Sequence, residues 1–113
     1  MHPAPGQQGE VAEAARVLSA LGLVTAFGHV SARSGRVMLI TPAADLAGVT
    51  RAAIVPVPLD LPDAGPLPPG APAEAWAHLA LYRARPDAGA IARGQPASAF
   101  AAAAAVAGRA AAA

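Results

Sequence analysis

The sequence predicts an α/β domain, and three observations within its 113 residues predict it. Apolar residues recur at helical spacing over residues 10–21 and again in the stretch that Pro86 stops. Two β-compatible runs flank Ser34-Gly35, a dipeptide suited to a tight turn. A third short apolar run, residues 88–92, follows the second helix. Along the chain the order reads helix, hairpin, strand, helix, strand, helix.

Residues 1–9 read as a flexible leader and residues 10–113 as the domain. The first helix spans residues 10–21, because Val11, Ala15 and Leu18 fall on one side, acidic residues come early and Gly22 follows the last turn as a C-cap would. Residues 29–33 and 36–40 form the hairpin, and Thr41-Pro42 ends its second strand, since proline cannot donate to a ladder. Residues 43–51 are a loop or short helical turn, and residues 54–57 a third strand. Seven prolines between Pro56 and Pro72 make a stiff loop that delivers the chain to Glu74. The second helix covers residues 73–85, ending where the residue before Pro86 resists helical geometry. On it Trp76, Leu79, Ala80 and Arg83 share one face, with Trp76 and Leu79 the expected core anchors. Glu74, His78 and Tyr82 line another face at i, i+4, i+8 spacing. Residues 97–113 have high helix propensity, weakest at Gly108.

Composition narrows the function classes. Hydrophobic residues make up 55% of the chain, but 34 of them are Ala and bury little area each, so the expected core is small. Every basic side chain is Arg, and a net charge of +1 with scattered arginines gives no basic stripe, so no nucleic-acid partner is expected. Cysteine is absent, which excludes disulfides and thiolate metal sites. The N-terminus lacks the basic patch and long apolar core of a signal peptide. The Ala-rich end is too weakly apolar, and too interrupted by Arg109, for the roughly 20 strongly apolar residues of a membrane span. A cytoplasmic protein without a membrane partner is the expectation.

Specific fragments then recur in a telling order: Leu21-Gly22-Leu23-Val24-Thr25, Gly28-His29-Val30-Ser31-Ala32-Arg33, Leu39-Ile40-Thr41-Pro42 and Pro72-Ala73-Glu74. The run from His78 through Leu79-Ala80-Leu81-Tyr82-Arg83-Ala84-Arg85-Pro86-Asp87 follows, and Gly89-Ala90-Ile91 closes the set. In order and spacing the chain resembles the N-terminal portion of the class II aldolase/adducin family. The Tyr-Arg-x-Arg-Pro-Asp segment is the most specific piece. The resemblance implies a three-layer α/β/α fold with a mixed, largely antiparallel central sheet, and a homo-oligomer, tetrameric in the family. It also implies a metal-dependent lyase (aldolase) or epimerase acting on a small hydroxylated carbonyl or sugar-like substrate. The family's third metal-binding histidine falls beyond Ala113, so the chain reads as a partial, truncated domain of that type.

Glu74 stands where the family's proton-moving glutamate belongs; the competing reading is a helix-start carboxylate favoured by the macrodipole. Gly28, His29 and Thr41 fall at substrate-binding positions of the family, and His29 either hydrogen-bonds a substrate or caps its strand. The family's cofactor is a divalent metal such as zinc, held by histidines in a His-x-His pattern. Here that pattern is Arg93-Gly94-Gln95, so no residue is assigned to a metal. Arg has no lone pair to offer, and its charge at about 4 Å opposes a dication by roughly 8 kcal/mol at an effective dielectric near 20. Pro72 has no N–H for a phosphate, which points away from a phosphorylated sugar. His78 reads as a helix-packing ring. The alternative to the enzyme is a non-catalytic or truncated relative with an assembly or partner-binding role.

Overall fold

A computed structural model of the chain describes residues 5–24 and 28–94. The helix expected over residues 97–113, the metal-pattern position Gln95 and residues 1–4 of the leader lie outside the described residues. Helix α1 spans Pro5–Ala20, starting five residues earlier than the Glu10 boundary drawn from the sequence. Pro5 sits at the first helical position, where its missing N–H costs nothing and its fixed φ is already helical. Tertiary contacts hold the added turn: Gln8 Nε2 donates to Ile54 O at 3.3 Å, and Ser34 Oγ donates to Gln7 Oε1. Most of the segment read as leader is therefore helix.

The hairpin forms as expected, with β1 over His29–Ser34 and β2 over Val37–Ile40, paired antiparallel from Ser34↔Val37 to Ser31↔Ile40. Gly35 takes the turn at φ 61°, a left-handed backbone that a Cβ disfavours. Strand β3, Val55–Pro58, pairs antiparallel with β2, and Pro56 and Pro58 are tolerated because β3 is an edge. Strand β4, Ala90–Arg93, pairs antiparallel with β1. The described strands run in the order β3-β2-β1-β4. Between β2 and β3 two short 3-10 turns, Leu46–Gly48 and Arg51–Ala53, pack against α1, the first capped by Asp45, whose Oδ1 accepts from Ala47 N at 3.0 Å.

The pleat of β2 divides the core, because successive side chains point to opposite faces. Leu39 packs with Val11, Ala12 and Ala15 of α1 and with Leu46, Val49 and Ile54. Met38 and Ile40 pack with Val57 and with Ala75, Leu79 and Tyr82 of α2, the helix Ala75–Ala84. Met38, Leu39, Ile40 and Leu79 expose none of their surface, and each fully buried aliphatic side chain of this size stabilises by about 1.5–3 kcal/mol.

Helix α2 corrects the facial reading. Its buried residues are Ala75, His78, Leu79 and Tyr82, while Trp76 is half-buried and Ala80 exposed. Leu79 is wholly buried as expected and Trp76 packs against the same cluster, but His78 and Tyr82 are buried with Leu79 beneath the helix. Arg83 is exposed and holds the proline-rich loop instead, donating from Nε to Leu59 O at 2.9 Å and pairing with Asp63 at 2.9 Å. No described helix is long and apolar enough to cross a membrane.

Candidate functional site

Alternation along β1 sends His29, Ser31 and Arg33 to the face that α2 covers, while Val30 and Ala32 turn toward α1. Helical spacing lines Glu74, His78 and Tyr82 along the facing side of α2. The two rows meet rung by rung. Tyr82 OH lies 2.8 Å from Ser31 Oγ, and the Arg33 guanidinium stacks over the Tyr82 ring with its Cζ 5.0 Å from the ring centroid. Ser31 Oγ lies 2.6 Å from His78 Nδ1. At the far end Arg93, the β4 partner of His29, forms an ion pair with Glu74 across an N–H···O bond from Nη1 to Oε2.

Arg33 fixes the lower end of this row. Its Nε donates to Ala88 O at 3.0 Å and its Nη2 to Tyr82 O at 2.9 Å, which ties the end of α2 and the turn after it to β1. Arg85 pairs with Asp87 at 3.0 Å on the surface.

A row of hydrogen bonds joins Tyr82 through Ser31 to His78. Tyr82 is buried, and Ser31 is its side-chain partner. If the phenol donates to Ser31 and Ser31 donates to Nδ1, every hydroxyl proton is used. In the reverse direction Nδ1–H donates to Ser31 and Ser31 to the phenol oxygen, so each direction uses two of the three protons. In either direction His78 Nε2 has no hydrogen-bond partner although it is buried. His29 Nδ1 is in the same condition.

Burial holds both rings neutral. The His78 pKa is lowered to about 4, first by burial and then by His29 and Arg93, with Glu74 acting in the opposite sense. That of His29 is lowered by burial, against Glu74 and assisted by Arg93. The Tyr82 phenol is pushed up by burial, and its hydrogen bond to Ser31 and the Arg33 charge work the other way. His29, His78, Glu74 and Arg93 thus act on one another electrostatically as one cluster.

The residues named from the sequence divide accordingly. Glu74 and His29 are in the cluster. Gly28 is buried just ahead of β1. Thr41 is wholly buried and bonded to the backbone beside the cluster: Val30 N donates to its Oγ1 at 3.1 Å and its own N–H donates to Val30 O at 3.0 Å. Ser31 and Tyr82 were given no site role from sequence, although a period of two from His29 reaches Ser31 and a period of four from Glu74 reaches Tyr82. The pairing of Arg93 with Glu74 had no local signal.

These residues do not fit a divalent metal. Among the described residues no group of three or more His, Cys, Asp or Glu side chains is arranged to hold one. The one carboxylate of the cluster is occupied by a guanidinium, which has no lone pair to give.

Comparison with known proteins agrees with the architecture. L-fuculose-1-phosphate aldolase from Thermus thermophilus is similar at 30% identity and a TM-score of 0.67, over 82% of this chain and 48% of that one. YgbL from Escherichia coli, a putative aldolase/epimerase/decarboxylase, is similar at 25% identity and a TM-score of 0.68, over 81% of this chain and 45% of that one. L-fuculose 1-phosphate aldolase from Glaciozyma antarctica shares the fold at 19% identity and a TM-score of 0.65, over 80% of this chain and 40% of that one. The chain thus spans under half the length of these structures. No curated protein matches it. Residues 9–112 match the family model described as the class II aldolase and adducin N-terminal domain, and with that match over nearly the whole sequence the chain belongs to this family.

Proposed function

We propose that this chain acts on a small hydroxylated carbonyl compound as a lyase or epimerase, with Glu74 moving the proton. The observation that carries the reading is the position of Glu74: a half-exposed carboxylate at the start of α2, beside two buried neutral imidazoles and one guanidinium. In either reaction a carboxylate takes a proton from substrate and returns it, and a fixed positive charge lowers the energy of the oxyanion that forms between. Similarity to an aldolase at 30% identity supports the reaction class. A three-layer α/β/α fold with a mixed sheet belongs to the same proposal; the separate packing of α1 and α2 on two core clusters supports the layering.

One observation favours a non-catalytic relative: the Arg93 ion pair occupies the carboxylate that would move the proton. Glu74→Gln separates the two. Assayed against hydroxylated aldehydes and hydroxy acids, wild-type protein turns over at least one, and the variant loses about 10²–10⁴-fold while melting within a few degrees of wild type. A variant as active as wild type removes Glu74 from the chemistry. A folded wild-type protein inert toward the panel leaves the non-catalytic reading.

A further inference from the structure

We propose that Arg93 is a binding residue for the carboxylate of a small 2-hydroxy acid, which the protein takes up without a metal by displacing Glu74 from the guanidinium. The inference rests on reading the Glu74 cluster as the substrate site, but it concerns binding and not turnover. An Arg head offers paired donors in the geometry of a carboxylate. Its present contact is an exposed, monodentate ion pair, and exposed pairs of this kind contribute little. A ligand carboxylate can replace it at little cost.

The neighbouring groups specify the rest of the ligand. His78 Nε2 and His29 Nδ1 belong to rings that are 1% and 6% exposed, and both nitrogens lack a hydrogen-bond partner. Unmet polar groups of this kind are costly, and a ligand hydroxyl or carbonyl oxygen would satisfy them on binding. Ser31 engages His78 Nδ1, which leaves Nε2 as the ring nitrogen for a ligand oxygen or hydroxyl.

A phosphate is the rival anion, and the start of α2 argues against it. The N–H groups of Ala75, Trp76 and Ala77 are all spent on the carbonyls of Pro72, Ala73 and Glu74, at 2.9, 3.3 and 3.0 Å. Pro72 has none to give. With these three amides spent and none at Pro72, the helix start is poorly equipped for a phosphate, and Glu74 opposes a dianion.

The test is calorimetric titration of the full chain, dialysed against EDTA, with D-glycerate, with its neutral amide and with inorganic phosphate. The expected result is saturable glycerate binding that exceeds amide and phosphate binding by at least tenfold. Arg93→Gln should weaken it at least tenfold, and Arg93→Lys should fall between. Glu74→Gln should bind as tightly as wild type or more tightly, because the competing carboxylate is gone. Binding that appears only with added zinc, that is unchanged in both Arg93 variants, or that favours phosphate overturns the proposal. Glycerate binding by a protein without turnover would sink the enzyme reading and leave this one standing; turnover of neutral substrates with no glycerate binding would do the reverse.

Discussion

Two histidines buried where α2 meets the sheet, each with a ring nitrogen left without a partner, make the stability of this protein depend on pH. The sign follows from the direction of the shift. His78 titrates near 4 when folded and near 6.5 when unfolded, so between those values the unfolded chain binds more protons. Its contribution is fully present above pH 6.5 and is lost as pH falls toward 4, and His29, also lowered, acts in the same direction. For His78 the loss is on the order of 3 kcal/mol. Urea midpoints measured from pH 7 to 4.5 should therefore fall steeply, and His78→Gln should flatten the fall; an equal slope in the variant would contradict the buried neutral ring. The Glu74–His78–Tyr82 row was legible in the sequence because helical spacing is local and fixed. The Glu74–Arg93 pair was not, since it depends on β4 docking beside β1, and no spacing along the chain encodes that neighbour.

Elements were easiest to read where a local rule acts alone. Ser34-Gly35 fixes a tight turn, and the hairpin lies where it was expected. The start of α1 was misplaced because Gln7 and Gln8 look like polar leader until their partners on Ser34 and Ile54 are known. Trp76 packs against the α2 cluster but stays half-buried, because the sheet takes the smaller Ala75 and the polar His78 beneath α2 together with Leu79. Gly94 shows how tightly the last strand is set. A Cβ there would come within 2.7 Å of Leu23 O and 3.1 Å of Val24 Cα, both backbone atoms that no rotamer change can move aside. Gly94→Ala should therefore cost about 1–3 kcal/mol in chemical denaturation. The displacement also reaches Arg93, so the variant should bind glycerate more weakly than wild type. A variant as stable as wild type would mean that β4 ends further from the 23–24 segment.

At the scale of the whole molecule the two core clusters communicate through one strand. Val37 and Leu39 face the α1 cluster, and Met38 and Ile40 face the α2 cluster, so neither face can lose its packing without loosening the backbone that holds the other. The sequence showed apolar residues throughout β2 but not this division of labour, because both sets are equally hydrophobic. The division predicts a single cooperative transition despite the small core. Leu46 lies in the α1 cluster, 1% exposed, and Trp76, the chain's single tryptophan, packs against the α2 cluster on the opposite face. Leu46→Ala removes a buried side chain and should destabilise by about 2–5 kcal/mol. If the sheet unfolds as one body, Trp76 fluorescence and far-ultraviolet circular dichroism will report the same lowered urea midpoint, although the substitution never touches the tryptophan's surroundings. A fluorescence midpoint that stays at the wild-type value while the dichroism moves would show two faces melting separately. In that case the Glu74 cluster, all on the α2 side, would survive the loss of α1.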